Sequence, residues 1–471
     1  MVISMELNRM NQNSFFSLSD RFSKNKVKFH DGQLITGRIL RFLPEGNALL
    51  KIGQQTLTAQ LETTVKALDQ YWFQVIMSNN RLKLKVLNNE NQKNKPLSEQ
   101  ILLFHRLEPS NEAIKLVKKL MKENIPFTKT QLSDAVIWLQ ESSKLKNFYS
   151  LDMKMEVLSF LIKQKWPLTK EIVHSLLTVY RKETISEDFS ILLKWLNSQE
   201  NLSPTLSQLK NVLNQLYKLS LSLHDDNNFQ QTNEDVHKGI FQFQSEETTI
   251  KSQLNLSTIN LDLILPNDVK IMLKQMMTLL GLSYEQLLKN GEKSQIEEMI
   301  KHSLKPLLIS ATDEVSDANI KEQIQTIINR LNAQALLSSQ LGPVDHFFLQ
   351  WPLQIRQLLT DFSLSIYGKK KQSGEIDPNF CRIVFDLNLP NVEEIIVDIL
   401  IQNKIMKVTI FNDIVTNEDV NRFIDELRER LDYLNFYLSS ISVKSINREK
   451  HEKNIKDMLE HTSYQKVDFK I

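Results

Sequence analysis

Few residues in this chain have the type and spacing that chemistry requires. Its nine histidines are scattered from His30 to His461, and no two lie three or four apart, so no helix offers a pair of imidazoles to one zinc ion. The single cysteine, Cys381, excludes an internal disulfide and sits in an apolar run, where a thiol is usually a small core group. The acid pairs Glu246-Glu247, Glu297-Glu298 and Glu393-Glu394 could in principle exchange protons, but adjacent side chains on a strand or helix point apart, and solvated charge is the simpler reading. Lys369-Lys370-Lys371 could meet a phosphate, yet it stands between glycines in a loop and reads as a solubilising turn. Nucleophile-elbow and phosphate-loop motifs do not occur, and the 10 glycines in 471 residues are few for a chain that cradles phosphates in backbone. These residues predict no catalytic group, no metal, no cofactor and no small-molecule substrate.

One basic set has a possible ligand. Arg38, Arg41, Lys51, Arg81, Lys83 and Lys85 lie near Tyr71, Trp72 and Phe73, a mixture that single-strand binders use for backbone and base contacts. The alternative reading assigns those aromatics to a core. Over the whole chain 58 basic residues face 56 acidic ones, so the net charge of +2 provides no global field toward nucleic acid or anionic lipid. The absence of a secretory-type start and of a long apolar run predicts no membrane span and a cytoplasmic location.

The elements that must carry these residues differ along the chain. Residues 1–28 are polar and aperiodic and read as a disordered leader. Residues 29–88 alternate short β-branched runs with turns such as Pro44-Glu45-Gly46-Asn47, predicting five strands in a small barrel or rolled sheet. After a polar linker, residues 97–222 take the period of a helix and are read as one helical domain. A loose echo about 40 residues long opens three helices, at Ile125–Lys129, Trp166–Lys170 and Leu202–Thr205, with Thr128 and Thr169 as capping residues in the first two, compatible with stacked hairpins or with a plain bundle. An acidic, amide-rich linker at 223–252 precedes a second helical block at 253–342, interrupted at Gly281 and ended by Gly342-Pro343.

The last domain, 343–446, reads as an α+β sandwich, followed by a charged tail at 447–471. Phe347–Leu353 and Leu358–Tyr367 predict two strands, with a loop from Gly368 to Pro378 before the next. Ile383, Phe385, Leu387 and Leu389 then fall on one face of a strand. Ile395–Ile401 and Lys404–Phe411 predict a hairpin around Gln402-Asn403. Thr416-Asn417-Glu418-Asp419 resembles a capping box, and Val420, Phe423, Ile424, Leu427, Leu431 and Leu434 form the stripe of one helix lying on the sheet. Phe436–Val443 is the final strand. The chain is thus predicted to be multidomain α plus β: a small N-terminal β module, a long all-helical middle and an α+β C-terminal domain.

From Trp351 to Lys444 the chain resembles the C-terminal domain of the flagellar hook-length control protein family. The likeness rests on Pro352-Leu353, the strand Arg382–Leu389, the turn Pro390-Asn391-Val392, the strand Ile395–Ile399, the helix bearing Leu427 and Leu431, and Ser442-Val443. Upstream, GLSYEQLL at Gly281–Leu288 and SLKPLL at Ser303–Leu308 resemble the larger hook-length-control-like proteins of low-GC Gram-positive bacteria. The resemblance implies a non-catalytic protein that binds the cytoplasmic domain of a type III export switch protein and alters export specificity. It also implies export of the protein itself, with which the polar leader is compatible. Leu389, Pro390, Val392 and Glu393 are the candidate partner-binding residues. The alternatives are a nucleic-acid-binding protein acting through the basic N-terminal barrel, and a helical adaptor.

Two departures from the family stand out. It places a glycine after the Leu-Pro turn and another just before the last strand, where this chain has Glu393 and Asn435. Asparagine tolerates positive φ, whereas glutamate does so at a cost, so the first turn is expected to differ. The family's long ruler-like middle is also replaced here by helical patterns.

Overall fold

The computed structural model describes residues 29–446 except 54, 63–64, 79–80, 88–95, 143–148, 182–183, 222–265, 339, 342–343, 356–357, 372–375 and 390–391. The expected leader, the first linker except Pro96, the linker at 223–252, the Gly342-Pro343 stop, Pro390 and the charged tail from 447 lie outside the described residues. The chain divides into two compact units whose boundary falls between Arg181 and Lys182.

The first unit opens with a closed barrel of β1 (Leu34–Phe42), β2 (Asn47–Ile52), β3 (Gln55–Leu61), β4 (Gln70–Ser78) and β5 (Arg81–Val86), in the order β1-β2-β3-β5-β4. Strict alternation drives closure: Ile35, Ile39, Leu50, Ala59, Phe73, Val75 and Leu84 point inward and are buried together. Gly37 lets the wall pinch, since a Cβ there would come within 3.0 Å of Ile52. Five helices follow: α1 (Leu97–Phe104), α2 (Asn111–Lys122), α3 (Lys129–Ser142), α4 (Leu151–Gln164) and α5 (Lys170–Leu177). The expected capping residues act as such. Thr128 Oγ1 accepts from the Gln131 amide at 3.3 Å, and Thr169 Oγ1 accepts from that of Ile172 at 3.4 Å. An isolated antiparallel bridge between Leu34 and Phe127 joins barrel and helices, and Trp72 packs on Phe127 at 5.9 Å.

In the second unit, α6 (Ile185–Ser198), α7 (Pro204–Leu221), α8 (Pro266–Leu280), α9 (Tyr284–Asn290), α10 (Lys293–His302), α11 (Leu304–Glu314) and α12 (Ala318–Leu337) precede a sheet. Its strands are β6 (Gln340–Leu341), β7 (Val344–Ile355), β8 (Leu358–Lys370), β9 (Ile376–Leu389), β10 (Glu393–Gln402), β11 (Ile405–Phe411) and β12 (Tyr437–Lys444). They lie in the order β12-β11-β10-β9-β8-β7-β6, antiparallel except for β11 and β12. That parallel pair needs a crossover, supplied by α13 (Asn417–Asn421) and α14 (Ile424–Tyr433).

Two boundaries differ from the sequence reading. The helical segment 97–222 is not one domain: α6 and α7 share a core with α8, α11, α12 and the sheet, with Phe189, Leu192, Leu213, Leu308 and Leu331 buried against Leu349 and Trp351. The reason is a distant partner. Asp361 of β8 accepts hydrogen bonds from the Ile185 and Ser186 amides at 2.7 and 3.0 Å, neutralising the positive end of α6. Buried ion pairs fix the same block: Asp188 of α6 with Arg330 of α12, and Glu285 of α9 with Lys305 of α11. Gly281 ends α8 as expected, at φ +75°, with space for no side chain between Lys305 and Pro306. The loop expected at Gly368–Pro378 is also shorter, because β8 continues to Lys370 and β9 starts at Ile376.

The amphipathic stripe of the last domain is corrected too. The helix breaks at Arg422-Phe423 into α13 and α14. Leu427 and Leu431 reach the core with Cys381, Ile401, Met406, Val408 and Leu438. Phe423 and Leu434, which flank that narrower stripe, are 64% and 43% exposed.

Candidate docking site

One face of the second unit's sheet is covered along its whole width. Leu349, Trp351 and Leu364 of β7 and β8 lie under the helical block, and the strands toward β12 lie under α14. The sheet's backbone at its far end is held by one side chain. Asn412, 2% exposed, follows β11, and its Nδ2 donates to the carbonyls of Val392 at 2.5 Å and Glu394 at 2.7 Å. Its Oδ1 accepts from the amides of Ile414 at 2.8 Å and Val415 at 2.6 Å. All four hydrogen-bonding positions of the amide are therefore used. The turn between β9 and β10, the junction from β11 to α13 and, through the Asn412 amide on the Lys444 carbonyl at 2.9 Å, the end of β12 become one assembly.

Within that assembly, Glu393 has φ 56°. The expectation that glutamate would force a different turn is overturned: it adopts the left-handed conformation that glycine takes without cost. The Val392 amide closes the turn on the Leu389 carbonyl at 3.3 Å, and the Asn412 bonds on either side of Glu393 hold it there. Asn435, before β12, has φ 62°, as its short amide side chain permits. Thr416 and Asp419 form a reciprocal capping box at α13, which holds the Asp419 carboxyl below its usual range.

The four candidate residues divide accordingly. Leu389 and Glu393 face each other in register, Glu393 is exposed, and Leu389 and Val392 are half-buried. Pro390 lies outside the described residues.

The larger accessible apolar surface is at the opposite end of the same strands, where the sequence reading placed no site. Asn403 and Lys404, at φ 50° and 65°, form the two-residue turn between β10 and β11 that matches strand twist. Register then aligns Phe380 of β9, Gln402 of β10, Ile405 of β11 and Tyr437 of β12 across the uncovered face. Phe380, Ile405 and Tyr437 are 54%, 49% and 65% exposed, and Leu400, two residues from Gln402, shares that face. An open depression of ≈ 170 Å³ lies beside them, lined by Lys404, Asp432, Phe436 and Tyr437. It is smaller than sites that enclose small molecules. A neighbouring Arg382–Asp398 pair, bonded at 2.9 and 2.8 Å, gives the face a polar margin. An apolar cluster with a polar rim is the composition of a protein contact. No sequence period could reveal it, because its members lie 22, 3 and 32 positions apart and meet only through strand register.

The chemical candidates are placed otherwise. Cys381 is buried, its thiol pushed up by burial and by Asp377. His105, at the C-terminal end of α1, is buried, and burial and then Lys129 push it down to about 4. Lys371 lies 3.7 Å from Asp377 as an ion pair, and Glu393 and Glu394 occupy alternate sheet positions. Among the described residues, no three His, Cys, Asp or Glu side chains are grouped to hold a metal, and no helix is long and apolar enough to cross a membrane.

No family model matches the chain, and no solved structure matches it. The chain is similar along nearly its whole length to the uncharacterized protein YlqG of Bacillus subtilis (strain 168), at 19% identity over 556 aligned positions covering 95% of each chain.

Proposed function

We propose that this chain is a non-catalytic binding protein of the hook-length-control type, whose C-terminal sheet engages the cytoplasmic domain of a type III export switch protein and biases which substrates the apparatus accepts. The observation that carries this reading is the pair of left-handed residues, Glu393 at φ 56° and Asn435 at φ 62°. They stand at the two positions where the resembled family has glycine, within the same succession of strand pair, hairpin, helix and last strand. A glutamate held in that conformation is what a retained backbone path with altered side chains predicts. The docking face is the apolar row of Phe380, Leu400, Ile405 and Tyr437. Helices α6, α7, α8, α11 and α12 pack into the core of the same unit, so the reading includes no extended ruler in the described residues. The protein acts at the cytoplasmic side of the apparatus.

The test is a titration of the full chain against a purified switch-protein cytoplasmic domain. Saturable binding below tens of micromolar, weakened at least tenfold by Ile405→Asp with Tyr437→Asp, is the expected result. No binding at tens of micromolar would remove the proposal's basis.

A further inference from the structure

The first unit's barrel closes through a parallel pairing of β3 with β5 and an antiparallel pairing of β1 with β4. That strand order is the order of the oligonucleotide- and oligosaccharide-binding barrels, whose ligands cross the outer face of the second and third strands. Charge decides between the two ligand types here. The five strands contain Arg38, Arg41, Lys51, Arg81, Lys83 and Lys85 and not one carboxylate; the acidic residues Glu45, Glu62 and Asp69 stand between strands.

Register turns the cations outward on four successive strands of the closed barrel, β1, β2, β3 and β5. Arg38 pairs with Lys51 and Lys51 with Thr56; Arg41 pairs with Leu49; Gln60 of β3 pairs with Lys83 of β5. Paired residues share a face, and Arg41, Lys51, Thr56, Thr58, Gln60 and Lys85 are exposed. Arg38 has its Nε on the Leu68 carbonyl at 2.7 Å, which leaves Arg41, Lys51, Lys83 and Lys85 for a ligand. The barrel meets its own helices at the start of β1 and on β4, through Leu34 and Trp72 on Phe127 and Gln70 on Asn124. Strands β2 and β3 are not part of those contacts.

We infer that the outer face of β1, β2, β3 and β5 binds single-stranded nucleic acid through its phosphates. Tyr71 lies edge-on to Phe73 at 6.2 Å and Trp72 is committed to Phe127, so the barrel's aromatics serve packing and the binding is insensitive to base sequence. A flexible strand can follow a small convex barrel, whereas a stiff duplex cannot wrap it. The near-neutral charge of the whole chain conceals this patch, because the carboxylates lie outside the five strands.

The test uses the full chain and a fluorescein-labelled 20-nucleotide oligothymidylate, read by anisotropy between 50 and 200 mM NaCl. Four phosphate contacts on a single strand give a log–log salt slope of about −2.8, a loss of about 50-fold in affinity over that range. Arg41→Gln with Lys51→Gln, leaving two contacts, reduces the slope to about −1.4. Lys115→Gln with Lys118→Gln, the same charge change on the exposed side of α2, leaves it unaltered. Lys83→Gln with Lys85→Gln provides an independent pair should the first fail to fold. No binding at 50 mM salt, an equal effect of the α2 pair, equal affinity for a duplex of the same length, or equal competition by polyglutamate would each overturn the inference. None of these results bears on the sheet of the second unit.

Discussion

Replacing Asn412 by alanine removes four hydrogen bonds of 2.5, 2.7, 2.8 and 2.6 Å at once. At about 1 kcal/mol for each bond, with partial compensation by water entering at the exposed Ile414 and Glu393 side, the loss is about 2–4 kcal/mol. The same change frees Glu393 from its left-handed conformation, which costs about 1–2 kcal/mol, and that release works against the loss. The two sites must therefore be coupled. Glu393→Gly alone stabilises the protein by about 1 kcal/mol, because the strain it removes exceeds the added chain entropy of glycine. In the Asn412→Ala background it gains less, since the turn has already relaxed. Asn412→Asp is a sharper control. It keeps an acceptor for the Ile414 and Val415 amides but turns an oxygen toward two carbonyl oxygens, so it is at least as harmful as alanine. The assay is urea denaturation of each variant, with hydrogen exchange at the Ile414 and Val415 amides, which should accelerate in Asn412→Ala. A loss below about 0.5 kcal/mol with unchanged exchange at those amides would refute the reasoning.

Three further outcomes follow from a buried ion pair and a buried histidine. Arg330→Ala removes the guanidinium 2.6 Å from Asp188, which is 1% exposed and keeps the Gln323 Nε2 bond at 2.7 Å, and should cost about 3–5 kcal/mol in urea denaturation. Asp188→Leu with Arg330→Met should recover most of that loss, and failure to do so would show that the pair, not the unpaired charge, carries the stability. His105 has a pKa lowered from 6.5 to about 4 by burial, so below pH 6.5 the unfolded chain gains a proton that the folded chain refuses. Stability is thus fully present above pH 6.5 and falls as the pH drops toward 4; His105→Gln should flatten that part of a melting-temperature profile, and an unchanged slope would contradict the assignment.

How much of this was readable in the residues depends on the range of the forces involved. Strand alternation and turn residues are local, so the five barrel strands are visible in the sequence, and so is the hairpin expected around Gln402-Asn403, although its turn falls one residue later, at Asn403-Lys404. The hydroxyl caps at Thr128, Thr169 and Thr416 are visible for the same reason. The membership of α6 and α7 is not, because their periodicity specifies an apolar stripe and not its partner, and Asp361 caps α6 from about 175 residues away. Glu393 marks the converse failure. Its intrinsic preference argues against positive φ, and the tertiary bonds of Asn412 override it. The docking row of Phe380, Ile405 and Tyr437 exists only after three strand registers are set.

Hydrogen exchange of the full chain, with and without the switch protein's cytoplasmic domain, tests the central claim most directly. The account predicts slowed exchange within residues 376–444, centred on the strand ends bearing Phe380, Leu400, Ile405 and Tyr437. Protection absent there, or confined to the barrel at 34–86, would contradict it.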